Sequence, residues 1–243
     1  FAGSVALMSD SVADAESTPT APETADYPVH WEADVVLRDG RTCHIRPIRA
    51  TDREALEEFH QTLSEATLYM RYFTASQELM ARDIERLLNA DHREHVALLA
   101  LAGGAVIGLG AYDSVGRAEG EIAFTIRDDH QGRGLGSVLL EHLAAIAREN
   151  GIHRFRAEVL SGNKKMLATF AAAGYSPSQE VEDGIVLLDF DIDPTQKSRT
   201  VARSREHRAE SLSIQRVIAP NSVVVVCDDV SAGAPGPRVT ANL

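Results

Sequence analysis

Between Glu119 and Asn150 the apolar period changes from two residues to about 3.6, across a turn rich in glycine. From Glu119 to Arg127, Ile122, Phe124 and Ile126 fall on one face and Glu121, Ala123 and Thr125 on the other, which predicts a strand with one apolar side. From near Gly134 to Asn150, Leu135, Val138, Leu139, Leu143 and Ile146 share one face of a predicted helix that Gly151 would stop. A strand feeding such a helix needs further layers to cover both apolar surfaces.

Those layers are legible on either side. Val35 to Leu37, the Asp39-Gly40 turn and Cys43 to Ile48 predict a hairpin, as do Val96 to Leu101, Gly103-Gly104 and Val106 to Tyr112. Thr51-Asp52-Arg53-Glu54 reads as a capping box, with Leu56, Phe59 and Leu63 following on one face. A second helical stretch carries Leu79, Ile84, Leu87 and Leu88. After the long helix come a strand (Phe155 to Leu160), a helix (Asn163 to Ala173, stopped by Gly174) and a last strand (Ile185 to Ile192). The order fits an α/β (α+β) fold with a mixed sheet covered by helices.

Composition narrows the function. The 36 Asp and Glu exceed the 24 Lys and Arg, for a net charge of −12, which argues against nucleic-acid binding through a global positive field. No run is long enough to span a bilayer. Cys43 and Cys227 lie too far apart to suggest a disulfide framework, so the chain reads as soluble, from a reducing compartment, and cytoplasmic.

Residues 1–30 hold five acids, no Lys or Arg and no apolar period, and are expected to be a disordered tail; residues 1–7, ahead of Met8, fit a cloning scar. Residues 31–195 are the expected domain. Gln196 to Arg216 carries six bases and two acids and reads as a solvated linker or a short amphipathic helix. Residues 227–243 read as unstructured.

The chemistry is concentrated in Asp128-Asp129-His130-Gln131-Gly132-Arg133-Gly134-Leu135-Gly136-Ser137. Glycines at alternate positions let a ligand approach the backbone, and a helix N-terminus behind them favours an anion, most often a phosphate. Arg127 and Arg133 are expected to help. A dinucleotide fingerprint is excluded, because counting from Gly132 places Ser137 at its third glycine; a Walker A loop is excluded by the absence of lysine. His92-x-x-His95 lacks a third ligand at useful spacing, so no metal site is expected. His130 is either a phosphate contact or an exposed loop residue.

The pattern Gln131-x-x-Gly134-x-Gly136, with Asn163 and Gly174-Tyr175 further on, resembles the Gcn5-related N-acetyltransferases, the GNAT superfamily, over roughly Cys43 to Ile192. The resemblance implies a GNAT fold with a mixed, mostly antiparallel sheet and acetyl-CoA as cosubstrate. It implies that the amides from Gln131 through Gly132, Arg133, Gly134, Leu135, Gly136 and Ser137 hold the pyrophosphate. Ile126 and Arg127 would pair with the pantetheine arm, and Asn163 would contact CoA or simply cap its helix. Glu121 matches the family's catalytic glutamate, with partial burial expected to tune it as general base and Glu119 as its rival. Phe170 stands where many members carry a tyrosine that protonates the leaving thiolate. Tyr175 is expected to pack.

Leu37-Arg38-Asp39-Gly40, Ile45 to Asp52 and Leu63-Ser64 with Leu68 to Phe73 resemble the bacterial protein lysine acetyltransferases, in which a GNAT domain is joined to an acyl-CoA-synthetase-like domain. The implied partner is a protein substrate, an AMP-forming acetyl-CoA synthetase, acetylated at lysine. Residues 196–243 would then be a linker followed by a remnant or truncated start of a CoA-binding synthetase-like domain. Two alternatives accompany this reading: a small-molecule amine acetyltransferase and a non-catalytic acyl-CoA sensor.

Overall fold

The computed structural model describes residues 27–73 and 76–204, with 207 and 211. β1 (Ala33–Val36) and β2 (Thr42–Pro47) form the first hairpin, followed by α1 (Arg53–Gln61), α2 (Glu65–Tyr72) and α3 (Gln77–Leu88). β3 (His95–Ala102), β4 (Ala105–Gly116) and β5 (Glu119–Ile126) make a meander. α4 (Leu135–Glu149) carries the chain to β6 (Arg154–Leu160), and α5 (Lys164–Ala172), β7 (Ser178–Glu182) and β8 (Ile185–Asp191) complete the sheet. Its order is β1-β2-β3-β4-β5-β6-β8-β7, antiparallel throughout except between β5 and β6. The expected mixed, mostly antiparallel sheet flanked by helices is thus present.

Alternation along the central strands sends their side chains into two cores. In β3, Val96, Leu98 and Ala100 pack with Leu139 and Leu143 of α4, Phe155 and Phe170. Ala97 and Leu99 pack on the opposite face with Leu56 and Phe59 of α1 and Ile84 and Leu87 of α3. Burying a Leu or Phe side chain contributes about 1.5–3 kcal/mol, so each face has its own driving force for helix docking. Cys43 lies buried in the sheet, where burial pushes its thiol up to about 11.

Several local expectations are corrected. No capping box forms at Thr51 and Glu54. α1 begins after Asp52, whose carboxylate accepts from both Arg46 Nη atoms at 2.7 Å and from the Arg49 amide at 2.7 Å. A bidentate guanidinium pair is stronger than a hydroxyl cap, and it ties the helix start to β2. Leu79 is 42% exposed rather than core, since it lies in the first turn of α3. α2 and the fully exposed edge strand β7 have no counterpart among the elements expected from the sequence.

The outer boundaries shift as well. Tyr27 to His30, assigned to the tail, are ordered: the Tyr27 hydroxyl donates to Glu32 at 2.7 Å, and the Arg49 guanidinium lies 4.5 Å from its ring centroid. Of the two expectations for the segment after Gln196, the helix holds over 196–204, with Ser198 buried, and the solvated linker does not. A Cβ on Gly174 would lie only 2.8 Å from the Ser198 Cα, so that glycine admits the segment. The expected tail over 1–26, and the remnant or truncated synthetase-like start beyond 211, lie outside the described residues.

Candidate active site

The parallel ladder between β5 and β6 is short, joining only Glu119 to Arg154, Gly120 to Phe155 and Glu121 to Arg156. Beyond it the strands splay. The resulting cleft, of about 810 Å³, is walled by Glu121 to Ile126 on one side and Ala157 to Val159 on the other. Thr67, Met70 and Arg71 of α2 close one flank, and the glycine loop and α5 close its end.

At the loop end the cleft is faced by backbone. Gly132 and Gly134 adopt φ of +77° and +87°, the left-handed region in which a Cβ is strained. The amides of Gly132, Arg133, Gly134, Leu135, Gly136 and Ser137 make no hydrogen bond among the described residues, and the last three begin α4. Six free amides at a positive helix end form an anion cradle. Gln131 departs from expectation, because its amide donates to the Asp128 carbonyl at 3.3 Å. Its side chain is instead a clasp: Nε2 donates to the Ile126 carbonyl and to Thr67, each at 3.2 Å, while Oε1 accepts from Lys165 at 3.2 Å.

The two arginines expected to meet phosphate are already paired. Arg127 binds Asp129 at 2.7 Å, and Arg133 binds Asp39 at 2.9 Å and the Asp129 carbonyl at 2.6 Å. Hydrogen bonds from Arg127, then from His130, hold the Asp129 carboxyl well below the usual carboxylate range. His130 is buried against Asp129 and lines the cleft, so of its two expectations the exposed loop residue is excluded. The Asn163 side chain caps α5, accepting from the Met166 amide at 3.1 Å, and lines the cleft. Lys164 and Lys165 also line it; sequence reading missed them, although they directly follow Asn163.

The opposite end is faced by side chains. Glu121 lies where the cleft meets a second, polar cavity of about 270 Å³, lined by Arg71, Asp83, Arg86, Ala111, Asp113 and Ala123. Glu121 is exposed, not partly buried as expected, and has no ion-pair or hydrogen-bond partner among the described residues. Its rival Glu119 is held by Arg156 at 3.0 Å.

The comparisons with known proteins agree with this geometry. The acetyltransferase (GNAT) family model matches residues 56–175. An acetyltransferase of Pseudomonas aeruginosa is 32% identical over 164 residues, which are 65% of this chain and 87% of that protein. This chain belongs to the GNAT acetyltransferase family. The acetyltransferase Pat of Mycolicibacterium smegmatis is 31% identical over 164 residues, 66% of this chain, and the chain spans 49% of that relative's length. Among solved structures, the GNAT domain of S. lividans PAT is 46% identical, with a TM-score of 0.65, and the match covers 68% of this chain and 99% of that one.

This GNAT chain has, at the Glu121 end of the cleft, a charged network that its sequence did not announce. Asp83 accepts from Arg71 at 3.2 Å, from Arg86 at 2.6 Å and from the Tyr72 hydroxyl at 3.0 Å. Asp113, in register with Glu121 across β4 and β5, binds Arg86 and His95. Burial alone would raise the Asp83 carboxyl, but the charges and hydrogen bonds of Arg71 and Arg86 outweigh it and leave the pKa lowered.

Phe170 is buried against Phe124 and Phe190, and Tyr175 packs on Phe190 with ring centroids 5.2 Å apart. His92 and His95 part company: His95 turns to Asp113, while His92 meets the Tyr27 and Trp31 rings. Among the described residues no group of three His, Cys, Asp or Glu is arranged to hold a metal, and no helix is long and apolar enough to cross a membrane.

Proposed function

We propose that this GNAT domain, over residues 31–195, moves acetyl from acetyl-CoA to the ε-amine of a lysine on a protein, with Glu121 as general base. The observation that carries the reading is the unpaired Glu121 carboxylate at the junction of the cleft and the polar cavity. At pH 7 a lysine amine with pKa ~10.4 is protonated, and its neutral form lies about 4–5 kcal/mol uphill. A free carboxylate at the transfer point first pairs with the ammonium and then accepts its proton as nitrogen attacks the thioester.

The cavity's charges favour such an acceptor. Arg71 and Arg86 carry two positive charges, while Asp83, Asp113 and Glu121 carry three negative ones, so the cavity admits one monocation. Acetyl-CoA supplies the thioester. The amides of Gly132 to Ser137 would hold its pyrophosphate, and Ile126 and Asn163 its arm. Arg127 and Arg133 act at one remove, by shaping the loop through Asp129 and Asp39. With Phe170 in place of a tyrosine, water protonates the leaving thiolate.

Similarity to Pat and to the PAT domain, together with the Leu37-to-Phe73 motifs, supports a protein acceptor. AMP-forming acetyl-CoA synthetase is the one to try first. The small polar cavity also favours a second reading, acetylation of a small amine.

The test is thiol release from acetyl-CoA with purified acetyl-CoA synthetase, wild type beside Glu121→Gln. We expect robust release that falls by about two orders of magnitude or more in the variant. Equal release from both would remove Glu121 as base. No release from either, with acetyl-CoA bound, would remove this acceptor, and competition by free amines would favour the small-molecule reading.

A further inference from the structure

The turn between β1 and β2 lies outside the span matched by the family model, yet it docks on the glycine loop. The Arg38 amide donates to the Arg133 carbonyl at 3.0 Å, and Asp39 binds the Arg133 guanidinium at 2.9 Å. Gly40, at φ +77°, reverses the chain between them. The turn is therefore fixed at the N-terminus of α4 by one backbone bond and one ion pair.

That docking lays the Arg38 side chain over Gly134. A Cβ at Gly134 would lie 3.0 Å from Arg38 Nε, 3.1 Å from its Cγ and 3.2 Å from its Cδ. Arg38 lines the cleft and is exposed, and no carboxylate or other hydrogen-bond acceptor among the described residues engages its guanidinium. The contrast with its neighbours is informative, since Arg127 and Arg133 each have a carboxylate. A cationic fork with five donors is thus held open beside six free backbone amides.

We propose that Arg38 is a phosphate-binding residue, supplied by the β1–β2 turn to close over the diphosphate that the glycine loop receives. The assignment rests on the acetyl-CoA reading given above. Its chemistry is the planar match of guanidinium to phosphate oxygens, which a lysine at the same place supplies only as a point charge. Within Arg38-Asp39-Gly40 the three residues then divide the work, since Arg38 binds the ligand, Asp39 anchors the turn to the loop and Gly40 reverses the chain.

The test compares acetyl-CoA affinity of the full chain with that of Arg38→Met and Arg38→Lys, by calorimetry. A charge-assisted contact predicts a loss of about ten- to a hundredfold for the methionine variant and a smaller loss for lysine. The same loss should appear with 3′-dephospho-acetyl-CoA, and the kinetic defect should fall on KM for acetyl-CoA, not on KM for the acceptor. A wild type that binds acetyl-CoA no better than Arg38→Met would overturn the assignment, as would a loss confined to the ligand that keeps its 3′-phosphate.

Inorganic pyrophosphate separates this proposal from the cofactor reading. If wild type ignores acetyl-CoA but is raised in melting temperature by pyrophosphate, and Arg38→Met is not, the cofactor reading fails and Arg38 stands. If neither ligand binds, both fail.

Discussion

At the glycine-loop end the cleft presents amides that any main chain possesses, aimed by two left-handed glycines; at the Glu121 end it presents carboxylates and guanidiniums drawn from α2, α3, β4 and β5. The first arrangement depends on what is missing, since a Cβ would spoil it. The second depends on what is present, because Arg71, Asp83, Arg86 and Asp113 hold one another in turn and leave Glu121 unpaired beside them. On the function proposed above, the first end takes the cofactor and the second the acceptor.

The largest structural effect should come from breaking the side-chain end. Asp83→Ala leaves Arg71 and Arg86 without their shared carboxylate, and removing one partner of a largely buried network costs about 3 kcal/mol. A urea titration reads that loss. The acid limb of stability should change with it. Because the folded pKa of Asp83 is lowered, its contribution is complete above the unfolded value of about 4 and disappears as pH falls through the folded value. Unfolding midpoints measured downward from pH 5 should therefore decline more steeply in wild type than in Asp83→Ala; superimposable limbs would mean that Asp83 is not the group responsible.

A smaller effect is expected at the backbone end. Gly134→Ala meets the left-handed penalty of roughly 1–2 kcal/mol and also crowds Arg38. Stability should fall less than in Asp83→Ala, while acetyl-CoA affinity falls more, a crossed pattern that a paired urea and calorimetry series would reveal. If both variants lose the two properties in the same proportion, the ends of the cleft are not built on different principles.

The smallest effect belongs to a pair that resembles the network but lies outside it. Arg53 binds Glu85 at 2.6 and 2.8 Å on the exposed faces of α1 and α3. Exposed pairs are screened by solvent, so Arg53→Ala should leave the unfolding midpoint unchanged within error. A clear shift would show that distance alone, without burial, decides the value of an ion pair in this protein.

The same division explains what the sequence disclosed. The cradle was legible because glycine spacing and a change of period are local signals, and the strands other than β7, with α4, followed from their apolar patterns. The network was not. Asp83 and Arg86 stand three apart on a helix, the spacing of an ordinary solvated pair, and only folding brings Arg71 and Asp113 to them.

α2 escaped notice because it has eight residues and none of them is buried. The capping box at Thr51 was a valid local pattern that a tertiary contact, Arg46 to Asp52, displaced. The partial burial expected at Glu121 is absent, because a strand's alternation cannot tell that its neighbour will splay away.

That splay has a consequence for how the molecule holds together. Among the described residues, three residue pairs between β5 and β6, with the His153 and Arg154 amides donating to the Ala118 carbonyl, make the short backbone seam joining the five-stranded part of the sheet to β6, β8 and β7. Within each part the antiparallel ladders are longer, with eight pairs between β3 and β4 and seven between β6 and β8. Cohesion across the seam accordingly falls to side chains, above all α4 and the Tyr112, Phe155 and Phe190 rings that straddle it. In native-state hydrogen exchange the β6–β8–β7 unit should open as one block, at lower free energy than β3 and β4, along the line where the ligand cleft begins.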